Sequence, residues 1–195
     1  RGNRENLLGG SATYFSLSKI LWLIRNVPDI KKSLEDDVCF GTIDSWLIYN
    51  LTGNFYTDVT NASRTLLYDL YDMKWCSDLL EKLDIPINSL PQVKPSFSNF
   101  GEMKEIIPGV PVTAILGDQQ AALFGQNCIN KGDVKNTYGT GCFALTNTGK
   151  EIVKSNNGLL TTIAYQKEGE DPMFALEGSV PIAGAAVQWL RDNLN

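Results

Sequence analysis

The sequence predicts an α/β fold divided between two regions. An apolar run of strand length, residues 110–116, is followed by residues 119–126, whose composition is typical of a helix. Beyond Asn127 the pattern changes to short strand-like runs and a closing helix. We therefore predict two domains, at residues 1–128 and 129–195.

The first region opens with helices. Apolar residues at helical spacing predict a first helix, which Pro28 ends. Residues 38–41 predict a short buried strand. Thr42 or Asp44 then caps a second helix, and a turn at residues 52–54 follows it.

Residues 57–65 are polar and predict a loop, whereas residues 66–71 are strand-like. A compact helix is predicted at residues 77–83. The prolines and serines of residues 86–100 are typical of a loop.

The second region predicts mostly strands. Residues 134–138 and 142–147 are strand-like, and the glycines of the connecting segment 139–141 are typical of a tight hairpin. Residues 158–165 and 173–176 predict two further strands, and helical spacing of apolar residues predicts a final helix.

The composition excludes several classes of site. None of the 195 residues is a histidine, which excludes Ser-His-Asp and Cys-His nucleophile systems and metal sites that use histidine. The net charge of 17 − 22 = −5, without a basic stretch to offset it, argues against a nucleic-acid or anionic-membrane partner. No apolar run approaches the roughly 18 residues that a membrane-spanning helix requires.

The four cysteines are far apart and form no C-x-x-C pair. We interpret them as buried free thiols in a reducing compartment, which predicts a cytoplasmic protein.

Asp118 is the first candidate functional residue. It follows the predicted strand and begins the predicted helix, a position where α/β proteins bind ligands. A rigidly placed, partly shielded carboxylate there can accept a proton from a substrate hydroxyl. The alternative is that Asp118 only caps the helix.

Gly139, Thr140 and Gly141 form the second candidate site. Two glycines around a threonine allow backbone N–H groups to approach an anion, and the Thr140 hydroxyl adds a donor. The alternative is a plain hairpin turn.

Gly184 and Gln188, one helical turn apart, form the third. A glycine near a helix start can admit a flat ring or a phosphate, which Gln188 can hydrogen-bond. The alternative is that Gly184 only allows close packing of the helix.

Two nucleotide motifs are excluded. The G-x-G-x-x-A pattern that begins at Gly139 leads into a strand rather than a helix and has no acidic residue about twenty positions later, so it is not a dinucleotide site. No Walker A loop is present, because Gly149 and Lys150 are followed by Glu151.

Together these segments resemble the FGGY family of carbohydrate kinases, in particular its members that phosphorylate glycerol. The blocks that carry the resemblance are NASRT (61–65), GDQQAALFGQ (117–126), KNTYGTGCF (135–143), NGLLTT (157–162), ALEGS (175–179), and AGA (183–185) with QWLRD (188–192). They follow one another in order over nearly the whole chain, which makes the resemblance specific.

The resemblance implies a fold of two ribonuclease-H-like α/β domains of the actin and hexokinase type, of which this chain is a part. It implies phosphorylation of glycerol to sn-glycerol 3-phosphate by ATP with Mg²⁺. Phosphoryl transfer asks the protein mainly to position the reactants and neutralise charge, and it requires no histidine.

The resemblance also assigns roles to residues. Asp118 is the general base, and Tyr14, Gln119 and Phe143 contact glycerol together with it. The nucleotide-binding residues are Gly139, Thr140, Gly184 and Gln188.

No metal-ligating residue is expected within this chain, because the resemblance places the family's Mg²⁺-associated aspartate outside it. The Arg-Glu pair that grips glycerol is also expected outside it, so the chain alone is expected to be incomplete for catalysis. The complete protein is expected to be a homo-oligomer, a dimer or a tetramer. Two alternatives stay open: a family kinase for a pentulose or another sugar, and a catalytically silent relative that acts as an interaction module.

Overall fold

The computed structural model describes residues 15–34 and 37–194, which form two compact units. The N-terminal unit consists of the described residues up to Leu116 together with residues 165–171. The C-terminal unit consists of residues 117–164 and 172–194. The units divide the chain at Gly117, whereas the domain boundary after residue 128 stays a prediction.

The helices of the N-terminal unit are α1 (Ser16–Asn26), α2 (Pro28–Lys32), α3 (Ile43–Thr52), α4 (Val59–Ala62) and α5 (Ser77–Lys82). Pro28 separates α1 from α2 and occupies the first turn of α2, where its missing N–H costs no helical hydrogen bond. Gly53 ends α3 in the left-handed conformation, at a φ of 78°, as the predicted turn requires. The predicted second helix and the helix at 77–83 are thus confirmed.

The strands of this unit are short. β1 (Tyr56–Asp58) runs parallel to β4 (Gln92–Lys94), and β2 (Tyr68–Asp69) pairs antiparallel with β3 (Lys74–Trp75). The buried apolar core lies between these strands and the helices, and its members are Ile20, Phe40, Leu67, Leu80, Ile85 and Leu90.

Several local predictions in this unit are wrong wholly or in part. The predicted loop at residues 86–100 contains strand β4 (Gln92–Lys94), because this segment pairs with the distant β1. Residues 38–41 form no strand, because Phe40 makes an isolated backbone hydrogen bond, to Ser89 O at 2.7 Å, rather than a ladder. The predicted strand at 66–71 is limited to β2. The predicted loop at 57–65 contains the end of β1 and helix α4, because the Asp58 side chain caps that helix.

The predicted strand at residues 110–116 is also wrong. This segment makes two isolated bridges, from Pro111 to Glu102 and from Ala114 to Phe97, and scattered backbone hydrogen bonds to residues 96–103, but no strand. All of it is exposed or half-buried. Pro111 lacks the N–H that a continuous ladder needs.

The C-terminal unit is built on an antiparallel hairpin within a four-stranded sheet. Its elements are α6 (Asp118–Gly125), β5 (Val134–Tyr138), β6 (Cys142–Gly149), β7 (Leu160–Tyr165), β8 (Met173–Val180) and α7 (Gly184–Asn193), and the sheet order is β5-β6-β8-β7. These elements confirm the predicted hairpin, the two later strands and both helices.

The face of the sheet that α6 covers carries the polar residues of interest. Helix α6 contacts β5 and β6 and buries Leu123 completely. In register across the sheet, Lys135 on β5 pairs with Leu145 on β6, which pairs with Glu177 on β8. Directly paired residues share a face, so Lys135 and Glu177 point to the same side. Both are buried.

All four cysteines are free thiols, as predicted, but none is buried, and Cys39 is exposed. Among the residues described, no helix combines the length and the apolar character that crossing a bilayer requires.

Candidate functional site

Asp118 is the first residue of α6, directly after Gly117, whose extended backbone precedes the helix. The structure corrects two expectations about Asp118. Its side chain makes no capping hydrogen bond, and it is exposed rather than partly shielded. Its Oδ2 accepts a hydrogen bond from Gln119 Nε2 at 3.2 Å. Within the described part of the chain Oδ1 has no partner, so this oxygen can accept a proton from a bound hydroxyl.

Gln119 connects Asp118 to the sheet. Its Oε1 accepts a hydrogen bond from the Nζ of Lys135, and the same Nζ donates to Thr137 Oγ1 at 2.9 Å. A continuous hydrogen-bonded row therefore runs from Thr137 through Lys135 and Gln119 to the Asp118 carboxylate.

Lys135 is a buried cation, with 2% of its surface exposed. Burial lowers the pKa of Lys135, and the negative charges of Glu177 and Asp118 oppose that shift, Glu177 more strongly. Carboxylates on two different elements, β8 and α6, thus favour the ammonium form.

The hairpin between β5 and β6 closes on itself. The Gly139 N–H donates to Gly141 O at 2.8 Å, and Tyr138 pairs with Cys142. Thr140 is exposed, and neither its N–H nor its hydroxyl has a partner among the described residues. These two donors at the tip are available to an anion.

Backbone hydrogen bonds join this hairpin to the start of α7, and we call these bonds the hairpin–helix joint. The Ala183 and Ala185 N–H groups donate to Thr140 O at 2.8 and 3.2 Å, and the Gly184 N–H donates to Gly139 O at 3.0 Å. The N–H groups that begin α7 therefore bind the hairpin carbonyls.

Gly184 is required by this joint. A Cβ there would fall inside van der Waals contact of the Gly139 carbonyl oxygen. Of the two interpretations of Gly184, close packing is thus present in the structure, and its contact with a nucleotide stays a prediction.

We expect Gly184→Ala to lower the free energy of unfolding by about 1–3 kcal/mol, because the added methyl group must push the hairpin backbone away from the helix. Gly125→Ala is the matched control: a Cβ on Gly125, at the end of α6, meets nothing within 4 Å. Denaturant unfolding of both variants measures the difference. Equal free energies of unfolding for the two variants would contradict the close contact between Gly184 and the hairpin.

The remaining predicted site residues lie on the same unit or outside the described residues. Phe143, half-buried on β6, pairs with Thr137 and so lies on the face of the sheet that carries Lys135. Gln188 is exposed on α7, one turn after Gly184. Tyr14 lies outside the described residues.

Lys135 and Glu177 were not predicted as functional residues from the sequence. The sequence pattern gives no signal for Lys135, because on β5 the apolar Val134 and Tyr138 are the exposed residues and Lys135 is the buried one. A charge on the inward face of a strand needs a partner.

The described residues hold no cluster of three or more Cys, Asp or Glu that could bind a metal ion. We derive no step through a metal.

Comparison with known proteins gives a consistent result. The model of the FGGY family of carbohydrate kinases, N-terminal domain, matches residues 3–125, and that of the C-terminal domain matches residues 134–195. Glycerol kinase of Brucella anthropi is 54% identical over 190 residues, 94% of this chain and 38% of that protein. Glycerol kinase of Clostridium botulinum is 55% identical over 186 residues, 93% of this chain and 37% of that protein.

Among solved structures, Plasmodium falciparum glycerol kinase with ADP matches with a TM-score of 0.90 and 43% identity, over 99% of this chain and 40% of that one. Xylulose kinase from Lactobacillus acidophilus matches with a TM-score of 0.81 and 21% identity, over 94% and 37% of the two chains, which supports the fold alone. The predicted kinase fold of the actin and hexokinase type is confirmed. The chain spans under two fifths of the length of the curated relatives named above.

Proposed function

The chain belongs to the FGGY family of carbohydrate kinases, and from this premise we propose that the complete protein transfers the γ-phosphoryl group of ATP to glycerol, forming sn-glycerol 3-phosphate. The observation that carries the proposal is the Asp118 carboxylate, exposed at the start of α6 with one oxygen held by Gln119. Relatives named glycerol kinase, at 54–55% identity, support glycerol as the acceptor.

In the proposed reaction Asp118 accepts the proton of a terminal glycerol hydroxyl as its oxygen attacks the γ-phosphorus. The bond from that phosphorus to the bridging oxygen breaks, and ADP leaves. A positioned carboxylate contributes about 10²–10⁴-fold to such a step. Gln119 holds the carboxylate, and Tyr14, Phe143 and Gln119 contact the glycerol.

The hairpin is the proposed phosphate contact. The free N–H and hydroxyl of Thr140, with Gly139 beside them, bind phosphate oxygens of the nucleotide. Gly184 and Gln188 on α7 contact the rest of the nucleotide. The solved glycerol kinase with ADP supports a nucleotide at this family's site. We propose that ATP is used together with Mg²⁺, which would neutralise phosphate charge.

We expect Thr140→Val to raise the KM for ATP more than the KM for glycerol, because valine keeps the shape of the side chain but removes its hydrogen-bond donor. Steady-state kinetics of the complete protein with each substrate varied in turn measures this difference. Thr113→Val is a control, since Thr113 is exposed in the N-terminal unit and its hydroxyl has no hydrogen-bond partner among the described residues. If only the KM for glycerol changed, Thr140 would be assigned to glycerol binding rather than to ATP binding.

The decisive experiment measures ADP release by the complete protein with glycerol and with a panel of pentuloses. Turnover of glycerol supports the proposal. If the protein phosphorylates only a pentulose, glycerol is the wrong substrate but the proposed mechanism is retained. If no substrate causes ADP release, the result favours a non-catalytic relative that acts as an interaction module.

We also propose a cytoplasmic location, because the four cysteines are free, as expected in a reducing compartment. We propose a homo-oligomer for the complete protein, a dimer or a tetramer, which light scattering of the purified protein measures directly.

A further inference from the structure

We propose that Lys135 is a positioning residue whose ammonium orients the Gln119 amide and, through it, the Asp118 carboxylate. The inference rests on the proposed function, since it concerns the base of that reaction.

The position of Lys135 is fixed by the sheet. It lies at an inward-facing place on β5, in register with Leu145 and beneath α6, and only 2% of it is exposed. Its Nζ donates to Gln119 Oε1 and to Thr137 Oγ1. The ammonium is thus held by one acceptor from its own strand and one from α6.

The chemistry of the ammonium determines the orientation of the Gln119 amide. A lysine ammonium only donates hydrogen bonds, so it must face the oxygen of an amide and not the nitrogen. The Gln119 Oε1 therefore points to Lys135, and Nε2 is directed to Asp118 Oδ2, 3.2 Å away. A flipped amide would set donor against donor at Lys135 and acceptor against acceptor at Asp118.

The charges around Lys135 support the same assignment. Negative charge from Glu177 and from Asp118 favours the ammonium form that burial alone disfavours. The Asp118 carboxylate thus interacts with the lysine both through its charge and through the Gln119 amide.

Orientation matters here because Asp118 is exposed and its side chain does not cap the helix. A carboxylate free to rotate spends less time in the geometry that accepts a proton, and orientation accounts for a large part of catalytic rate. The row from Lys135 through Gln119 supplies that restraint from a buried strand.

The test is a double-mutant cycle on kcat in the complete protein. Lys135→Met removes the ammonium and keeps the apolar stem, and Gln119→Leu removes the amide. We expect each to lower kcat about tenfold, with the KM for ATP unchanged. Because Lys135 acts through Gln119, the double variant is expected to lose no more than the larger single effect. A double variant slower by the product of the two effects, about 100-fold, would overturn the inference, since two independent contributions multiply.

Lys131→Met is the matched control. Lys131 is an exposed lysine of the same unit, paired with Glu151 at 2.7 Å, and its loss is expected to leave kcat unchanged. A Lys135→Met variant with unchanged kcat would refute the positioning role.

Glu177 is buried, and its charge favours the Lys135 ammonium, so removing the ammonium alone can prevent folding. If Lys135→Met does not fold, the cycle is run in a Glu177→Gln background, which removes that buried negative charge as well. Activity of the unmutated protein separates the two proposals. If the protein does not phosphorylate glycerol, the proposed substrate is wrong, and the mutant cycle is then measured with the pentulose that the protein does phosphorylate. Silence with all substrates overturns both proposals.

Discussion

Asp118→Asn is expected to lower kcat by about 10²–10⁴-fold in the complete protein, while the affinity for ATP stays largely intact. Asparagine has the shape of aspartate, and its Oδ1 can still accept the hydrogen bond that Gln119 Nε2 donates. Its amide cannot take a proton from a hydroxyl. The loss is therefore expected in the chemical step rather than in binding or folding.

Single-turnover kinetics with saturating ATP isolates that step. Asp133→Asn is a suitable control in the same unit, because Asp133 Oδ2 accepts a hydrogen bond from the Asn130 N–H at 2.8 Å and an asparagine can do the same. If Asp118→Asn retained near-full kcat, Asp118 would not be the base.

Asp58→Ala is expected to have the largest effect on stability. The Asp58 carboxylate is fully buried and accepts hydrogen bonds from the N–H and hydroxyl of Thr60 at 3.0 and 2.8 Å, from the N–H and side-chain amide of Asn61, both at 2.9 Å, and from Ser96 Oγ at 2.6 Å. Burial raises the pKa of Asp58, and these hydrogen bonds oppose that shift.

Alanine removes the acceptor and leaves several buried donors unsatisfied, at about 1–3 kcal/mol for each. The cap of α4 is lost as well, which typically costs about 1 kcal/mol. We therefore expect a loss of at least about 3 kcal/mol in the free energy of unfolding of the N-terminal unit. Asp29→Ala, at an exposed position in the first turn of α2, is the control and is expected to change it little. A loss below about 1 kcal/mol for Asp58→Ala would contradict this account.

The parts of the fold that the sequence predicts well are those with local signals. The left-handed Gly53 marks the end of α3, and Gly139 and Gly141 mark the hairpin of β5 and β6. Helical spacing predicts α6 and α7. In each case the decisive interaction lies within a few residues of the signal.

The wrong predictions depend on distant partners. The apolar run at 110–116 has the composition of a buried strand, but burial and strand pairing require neighbours that no local pattern specifies. Residues 57–65 look like a loop because Asp58 and its partners are polar, yet their hydrogen bonds to one another and to the distant Ser96 build a buried helix start.

In the candidate site, too, residues with a local sequence signal differ from those whose contacts involve distant parts of the chain. Asp118 and Thr140 are candidates from the sequence because each lies at an element boundary with a motif around it, and their roles stay predictions. The link from Asp118 to Lys135 depends on a contact between Gln119 on a helix and Lys135 on a strand, 16 positions apart. It becomes visible only when the register of β5 is known.

In the hairpin–helix joint, the backbone holds the structure together, and the side chains at the tip are available for the proposed phosphate contact. Main-chain atoms make its three hydrogen bonds, so none of these bonds depends on the side chains of Thr140, Ala183 and Ala185. Those positions can be altered to change what the tip recognises without dislodging the helix. Gly184 and Gly141 cannot be replaced in this way. A Cβ on Gly141 would lie 2.7 Å from Val180 O, and a Cβ on Gly184 would clash with the hairpin backbone. The side chains of the proposed phosphate contact can thus vary, while the backbone arrangement of the tip depends on two glycines.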